Sequence, residues 1–430
     1  MRLIILVCLF LPGNFSKANT YYVSPVGNNA NPGSISAPFA SIDQLSAVMK
    51  AGDTAYLRGG IYFTARPNNI SAFRLFELKR LDGTAANLIT IQNYPGETVV
   101  FDLHSFGIPV QPNTTALYID GCNYIHLKGI RVTGLQQNHH SGTPQAWKVD
   151  NSSNNIFEQI EMDHIQGNGL LLGDGSNNNL FKNCDAHHIE DPYSSPGAYG
   201  GANGFSATGR STATNNTFDG CRAWLISDDG FDLYQSSGFF TIINCWSFWN
   251  GYHAVYGNHI GGDGNGFKLG PDAAYPAAPP RATHHKILRV VMNCLAFQNY
   301  TNGFDQNNGD MRCILYNNST YNNRGYGYMW GFIAAAAAQD FKNNLAFLDS
   351  LGDRRGKETN GIKNSWDILT ITRRDFISLD TTGVSGPRQA DGSLPSLPFL
   401  RLAKRSRLKD AGTKTVQPYI NKAPDIGALR

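Results

Sequence analysis

TFDGCRAWLISDDGFDLYQSSGFFTIINC, residues 217–245, closes the same short apolar phrase twice, at Cys221 and at Cys245, 24 residues apart, with DGF (229–231) between. The phrase recurs outward in both directions. IFEQI ends at Ile160, LFKNC at Cys184, VMNC at Cys294, LYNN at Asn318 and FKNN at Asn344. From Ile160 the successive steps are 24, 37, 24, 49, 24 and 26 residues, a period near 24 with two long steps. A second phrase stays in phase with the first: NGL (168–170), NGF (203–205), DGF (229–231), NGF (265–267), NGF (302–304) and YGY (326–328). Its central glycine follows the first phrase by 9 residues in four coils, and by 20 and 21 in the coils of Gly204 and Gly266.

Units this short, rich in Asn and Gly and with β-branched or aromatic apolar positions, exclude helical repeats and indicate a β-solenoid. The expected fold is all-β: a single-domain right-handed parallel β-helix with three short strands per coil. Equivalent residues of successive coils should stack about 4.8 Å apart. Cys184, Cys221, Cys245 and Cys294 then share an inward column and are expected to be buried and reduced. Asn179 and Asn216 suit stacked turn amides. Solenoid ends need caps, and SIDQLSAVMKAG (41–52) reads as an amphipathic N-terminal capping helix. The period fades from about residue 365, so the rest should pack along the outside.

The opening MRLIILVCLFLPGNFSKA reads as a secretory signal peptide cut near Ala18, giving a mature domain over 19–430. No later apolar run is long enough to span a membrane. Loss of Arg2 and Lys17 takes the formal charge from +3 to +1 (3 − 2), too small for a field that recruits nucleic acid. The chain is expected to work as an exported monomer, with neither nucleic acid nor membrane as partner.

Solenoid phase turns sequence offsets into columns. Two residues past the central glycine lie Leu171, Ser206, Asp232, Lys268, Asp305 and Met329; one before it lie Asn168, Asn203, Asp229, Asn265, Asn302 and Tyr326. Asp228, Asp229 and Asp232 thus fall one coil from Lys268 and one from Asn203. Alternation along the strand sends Asp228, Asp232 and Lys268 outward. Asp229 joins them if Gly230 bends the chain. One lysine cannot neutralise three carboxylates, and oxygen ligands at this density favour Ca²⁺. The acids are too close together for an EF-hand loop. His139–His140, His187–His188 and His284–His285 lack zinc spacing and read as surface residues. Both long coils carry their extra residues before the second phrase, so two loops should flank a strip floored by the aspartates. A further insert, PDAAYPAAPPRATHH, follows Lys268 and could form one wall. A plain reading of Lys268 is a salt bridge to Asp232 across coils.

With YYVSPVGNNANPGSISAPFASIDQLSAVMKAGDTAYLRGGIY near the start, SDDGFDLYQSSG, GNGFKLG and the terminal APDIGA, in that order, the chain resembles the pectate-lyase-L-like group, polysaccharide lyase family nine. The resemblance runs from about residue 20 to the end. It implies Ca²⁺ held by Asp228, Asp229 and Asp232, and Lys268 as the base that takes a proton. The family's further acid, from the preceding coil, corresponds to Asn203, whose amide oxygen can ligate without charge. Asn265 and Arg210 are the candidates for substrate contact. The implied activity is calcium-dependent β-elimination on a galacturonate-containing acidic polysaccharide, polygalacturonate or the rhamnogalacturonan backbone. Two rival readings are a polygalacturonase-type hydrolase using Asp228 and Asp229, and a calcium-stabilised glycan-binding protein without turnover. The chain has neither a Gly-His-Gly nor an Arg-Ile-Lys phrase to support the hydrolase.

Overall fold

The computed structural model describes residues 18–63, 74–104, 114–137, 142–193, 198–209, 211–252, 261–271, 286–331, 339–356, 360–368, 370–419 and 421–428. The signal segment (but for Ala18), Arg210, His139–His140, His284–His285 and most of the insert after Lys268 lie outside them. The strands form three parallel sheets of twelve, ten and ten strands, and along each sheet the strands succeed one another in chain order. Each coil therefore gives one strand to each sheet, and the chain is a parallel β-helix. The first sheet runs from Thr20–Val23 to Asn360–Ile362, the second from Arg74–Lys79 to Gly352–Gly356, and the third from Gly60–Tyr62 to Leu345–Phe347.

The repeat phrases have local causes. The chain bends between the first and third sheets at a left-handed residue in every coil, and Asn183, Asn244, Asn293, Asn317 and Asn343 supply it with φ between 54° and 58°. Asparagine tolerates that conformation better than other side chains. The central glycine of the second phrase is fixed by close approach. A Cβ on Gly204 would come within 2.6 Å of the Gly230 carbonyl, and one on Gly266 within 2.6 Å of the Gly303 carbonyl. The aromatic that follows points inward, so Phe205, Phe231, Phe267, Phe304 and Tyr328 form a ring stack at 5.0, 4.8, 4.8 and 5.1 Å. Cys184, Cys221, Cys245 and Cys294 are buried free thiols.

Buried asparagines replace backbone pairing at the corners. Asn155, Asn179 and Asn216 form one ladder, and Asn318, Asn344 and Asn364 another. In a third, Asn299 Oδ1 accepts from Asn250 N and Nδ2 at 3.2 and 2.9 Å, and Asn299 N and Nδ2 reach Asn323 Oδ1 at 3.0 and 2.9 Å. Asn299→Ala would strip partners from both neighbours. It should destabilise the fold by about 2–4 kcal/mol, read as a lower denaturation midpoint at unchanged slope.

The N-terminal cap is shorter than the sequence suggests. A 3₁₀ turn, Ile42–Gln44, leads into one α-helical turn, Leu45–Val48, after which Met49 is extended. Ser46 Oγ accepts the Lys79 N–H at 3.0 Å, so the cap occupies a donor on the first strand of the second sheet. At the other end, residues 370–419 and 421–428 lie against the outer face of the third sheet. There Phe376, Phe399 and Leu402 cover Phe297, Tyr321 and Phe347.

Candidate active site

The second column aligns in the structure as the sequence phase demands: Leu171↔Ser206, Ser206↔Asp232, Asp232↔Lys268, Lys268↔Asp305 and Asp305↔Met329 are Cα partners. The column before the glycine is a ladder. Asn168 Oδ1 accepts Asn203 N, Asn203 Oδ1 accepts Asp229 N, Asp229 Oδ1 accepts Asn265 N, Asn265 Oδ1 accepts Asn302 N, and Asn302 Oδ1 accepts Tyr326 N, at 2.8 to 3.2 Å. Asp229 is thus a carboxylate standing in an asparagine ladder. Its Oδ1 does the amide oxygen's work. Its Oδ2 is buried, and its close partner among the described residues is the Lys268 ammonium, 3.0 Å away. The bend at Gly230 does bring Asp229 to face the lysine.

Lys268 does not pair with Asp232, its Cα partner. It is held by Asp229 at 3.0 Å and by Asp263 at 2.7 Å. Asp232 turns instead to the Tyr234 N–H at 2.7 Å and to the Asn203 amide. The sequence reading missed Asp263. It closes the insert that follows Tyr252, and its own N–H donates to Asp228 Oδ1 at 2.6 Å. Asp305 flanks Lys268 from the next coil and accepts from Asn302 Nδ2 at 2.8 Å. Of the residues expected to hold metal, the structure gathers Asp228 and Asp229 with Asp263, their carboxylate oxygens within 4.8 Å of one another. Asp232 and Asn203 are not part of that grouping; they are hydrogen-bonded to one another, and Asn203 Oδ1 also accepts Asp229 N. Asn265, expected as a substrate contact, is engaged with Asp229 in this structure. It is buried, and its N and Nδ2 both donate to Asp229 Oδ1, at 2.8 and 2.9 Å, which makes it a positioning residue.

The charges are out of balance. Burial, and for Asp228 the charge of Asp229, pushes the Asp228 carboxyl well above the usual range; burial also raises Asp232, and raises Asp229 to about 7. For Lys268, burial works against the cation. The carboxylates of Asp229, Asp232, Asp228 and Asp263 outweigh it and hold the ammonium well above the ordinary lysine value. All-oxygen donors and more carboxylates than the one lysine can balance suit a hard divalent cation. A second grouping among the described residues, Glu161, Asp163 and His187, does not suit one. Arg131 grips both oxygens of Asp163 at 2.6 and 2.7 Å, and His187 stacks on Trp224 at 4.2 Å.

A trough runs beside the site. Toward the end of the third-sheet strands, or just past it, a left-handed residue recurs, and His164, His188, Leu225, Trp249, Gln298 and Asn322, φ 50° to 56°, make an outward column. Two cavities of about 450 and 410 Å³ follow it and share Leu225 and Tyr252. Leu225 belongs to the coil of Asp228, and Trp249 to that of Lys268. The acid–lysine centre therefore shares its coils with the middle of the trough, although Asp228, Asp229, Asp232, Asp263 and Lys268 line neither cavity. In the second cavity Arg324, whose guanidinium lies 4.5 Å over the Tyr300 ring, offers a cation.

A parallel β-helix that sets one lysine among carboxylates, on the same coils as the middle of a long trough, defines a polysaccharide-lyase type of site. The chain belongs to the Pel9A-like right-handed β-helix family, whose model matches residues 21–344. It is 32% identical to pectate lyase L of Dickeya dadantii over 97% of this chain and 92% of that one. It is 30% identical to pectate lyase L of Paenibacillus polymyxa over 92% and 84%. The crystal structure of pectate lyase Pel9A superimposes with a TM-score of 0.77 at 30% identity, covering 97% of each chain. A rhamnogalacturonan lyase superimposes equally well, at 0.77 and 29% identity, over 90% of this chain and 97% of that one. The protein is a polysaccharide lyase.

Proposed function

We propose that the protein is an exported, calcium-dependent lyase that cleaves a galacturonate-containing polysaccharide by β-elimination, with Lys268 as the base. The observation that carries this reading is the pairing of Lys268 with Asp229 and Asp263 in a group of carboxylates that exceeds its charge. Asp228, Asp229 and Asp263 would hold the cation. A Ca²⁺ held by these residues would supply the electron withdrawal that makes the C5 hydrogen of a uronate more acidic. A divalent charge held by the three carboxylates would also weaken the field that keeps Lys268 protonated. The neutral Nζ takes the C5 proton, and the C–H electron pair becomes the C4–C5 double bond. The C4–O bond breaks, and the departing oxygen takes up a proton. The products are a shortened chain and an unsaturated uronate end. The trough crosses the same coils as this centre, and Arg324 in its second cavity can pair with a uronate carboxylate.

Polygalacturonate is the first substrate to test. The equal superposition of a rhamnogalacturonan lyase makes that backbone the second. Ultraviolet absorbance of the unsaturated uronate should rise on one or both polymers with Ca²⁺ and stop with chelator. New reducing ends without that absorbance would replace the lyase mechanism with hydrolysis. Rates indifferent to chelator would remove the metal.

A further inference from the structure

We propose that the outer tail carries a second, non-catalytic binding surface for the acidic polymer, built from Arg373, Arg374, Lys404, Arg405 and Arg407. This inference rests on the reading of the substrate as a polyuronate. The five cations come from two segments that the fold brings together. The first, the 3₁₀ turn Arg373–Asp375, is tied to the second by several contacts: Ala403 N donates to the Asp375 carbonyl at 2.9 Å, Ile377 N to the Arg401 carbonyl at 2.8 Å, and Phe376 bridges to Leu402. All five side chains are exposed, and none makes an ion pair among the described residues. The acid between them, Asp375, is buried and faces inward. Its carboxylate accepts from Thr372 N, Ser406 Oγ and Arg407 N at 2.8, 3.3 and 3.3 Å. Leu402 and Leu408 are buried against the third sheet while Lys404, Arg405 and Arg407 stay in solvent, so burial anchors the segment and leaves its charges outward.

A run of charge on a solvated face commonly does no more than keep a protein soluble. Two features argue for a role here. The chain as a whole is only +3, so five unpaired cations in one place are a local excess rather than a general surface property. The patch also borders the trough. Ile371, two residues before Arg373, packs against the same apolar cluster as Leu225 and Trp249 of the trough wall. The Arg373 charge acts on Tyr321, whose neighbour Asn322 lines the second cavity. The patch has no sugar-shaped pocket, so it recognises charge density rather than sugar identity.

The test uses the full chain with Arg374→Glu, Lys404→Glu and Arg405→Glu combined, beside a charge-keeping Arg374→Lys, Arg405→Lys variant. Native gels cast with polygalacturonate and chelator read binding without turnover; dextran gels are the control. The wild type and the lysine variant should be retarded by polygalacturonate and not by dextran. The reversed variant should lose most retardation, and its KM on polymer at low salt should rise about three- to tenfold with kcat unchanged. Turnover of trigalacturonate should match the wild type. Unchanged retardation of the reversed variant overturns the proposal, as does equal retardation by dextran, or capture by anionic phospholipid vesicles but not by polymer. If the reversed variant fails to turn over trigalacturonate it is misfolded, and the same comparison is then made with Arg405→Glu alone. Retardation that depends on the patch in a protein active on neither polymer would sink the lyase reading and leave this surface standing.

Discussion

Lys268→Arg should lower kcat on polygalacturonate by about 10²–10⁴-fold while leaving Ca²⁺ affinity within a small factor of the wild type. The substitution separates charge from basicity. Arginine keeps the cation that Asp229 and Asp263 hold at 3.0 and 2.7 Å, so a purely structural role for Lys268 would survive it. It does not give up its proton in proteins, so a base role would not survive. The site is tight, with Lys268 only 8% exposed, and the larger guanidinium could strain it. Lys268→Met therefore accompanies it: similar in length, uncharged and unable to accept a proton. Both variants should be inactive, both should bind Ca²⁺ by calorimetry, and both should melt cooperatively. If the arginine variant stays within about tenfold of the wild-type rate, Lys268 is a binding cation and the proton acceptor is another group.

The parts of this site that were legible in the sequence are those that solenoid phase controls. A repeat that puts glycine where two backbones nearly touch, as at Gly204 and Gly230, admits no slip, so the columns of Asp232–Lys268 and Asn203–Asp229–Asn265 follow from counting. Phase fixes the layer of a Cα and not the rotamer above it. For that reason Asp232 was correctly placed opposite Lys268 and wrongly paired with it. Its carboxylate closes a turn on the Tyr234 N–H instead. Asp263 lay beyond reach for a different reason. It sits in an insert, outside the repeat, and only the return of that loop over Asp228 brings it to the lysine. The insert's position was nevertheless a usable signal, since it marked the coil where the extra acid entered. The asparagine column before the glycine could be written down from the sequence. That it is a buried ladder, with Asp229 as its one carboxylate among Asn168, Asn203, Asn265 and Asn302, needed the hydrogen bonds.

That ladder makes Asp229→Asn the most informative single change to the metal site. The variant should lose Ca²⁺ affinity by about 100-fold or more and lose nearly all turnover, yet should fold more stably without metal than the wild type. The loss follows because hard-cation affinity depends on ligand charge. The gain follows from the ladder. Asp229 Oδ1 already takes the Asn265 N–H and Nδ2, and an asparagine oxygen can do the same. Its new Nδ2 could donate to Asn203 Oδ1, as Asn265 Nδ2 donates to Asp229, in place of a buried, desolvated carboxylate oxygen whose close partner is the Lys268 ammonium that Asp263 also holds. The pH dependence has a definite sign. Burial raises Asp229 from 3.8 to about 7 in the folded protein, so between those values the folded state binds more protons than the unfolded. Wild-type stability in chelator should therefore fall as pH climbs from about 4 to about 7, and asparagine, which does not titrate, should abolish that part of the fall. The two proteins should melt closely together near pH 4 and separate by one to a few degrees at pH 8, the variant higher. Saturating Ca²⁺ should reverse the order, because the wild type, binding about 100-fold more tightly, gains more free energy from the ion on folding. Scanning calorimetry at the two pH values, with and without Ca²⁺, reads all four states. A variant that melts below the wild type in chelator at pH 8 would mean that the Asp229–Lys268 pair stabilises the fold, and that the carboxylate is kept there for structure rather than for the cation.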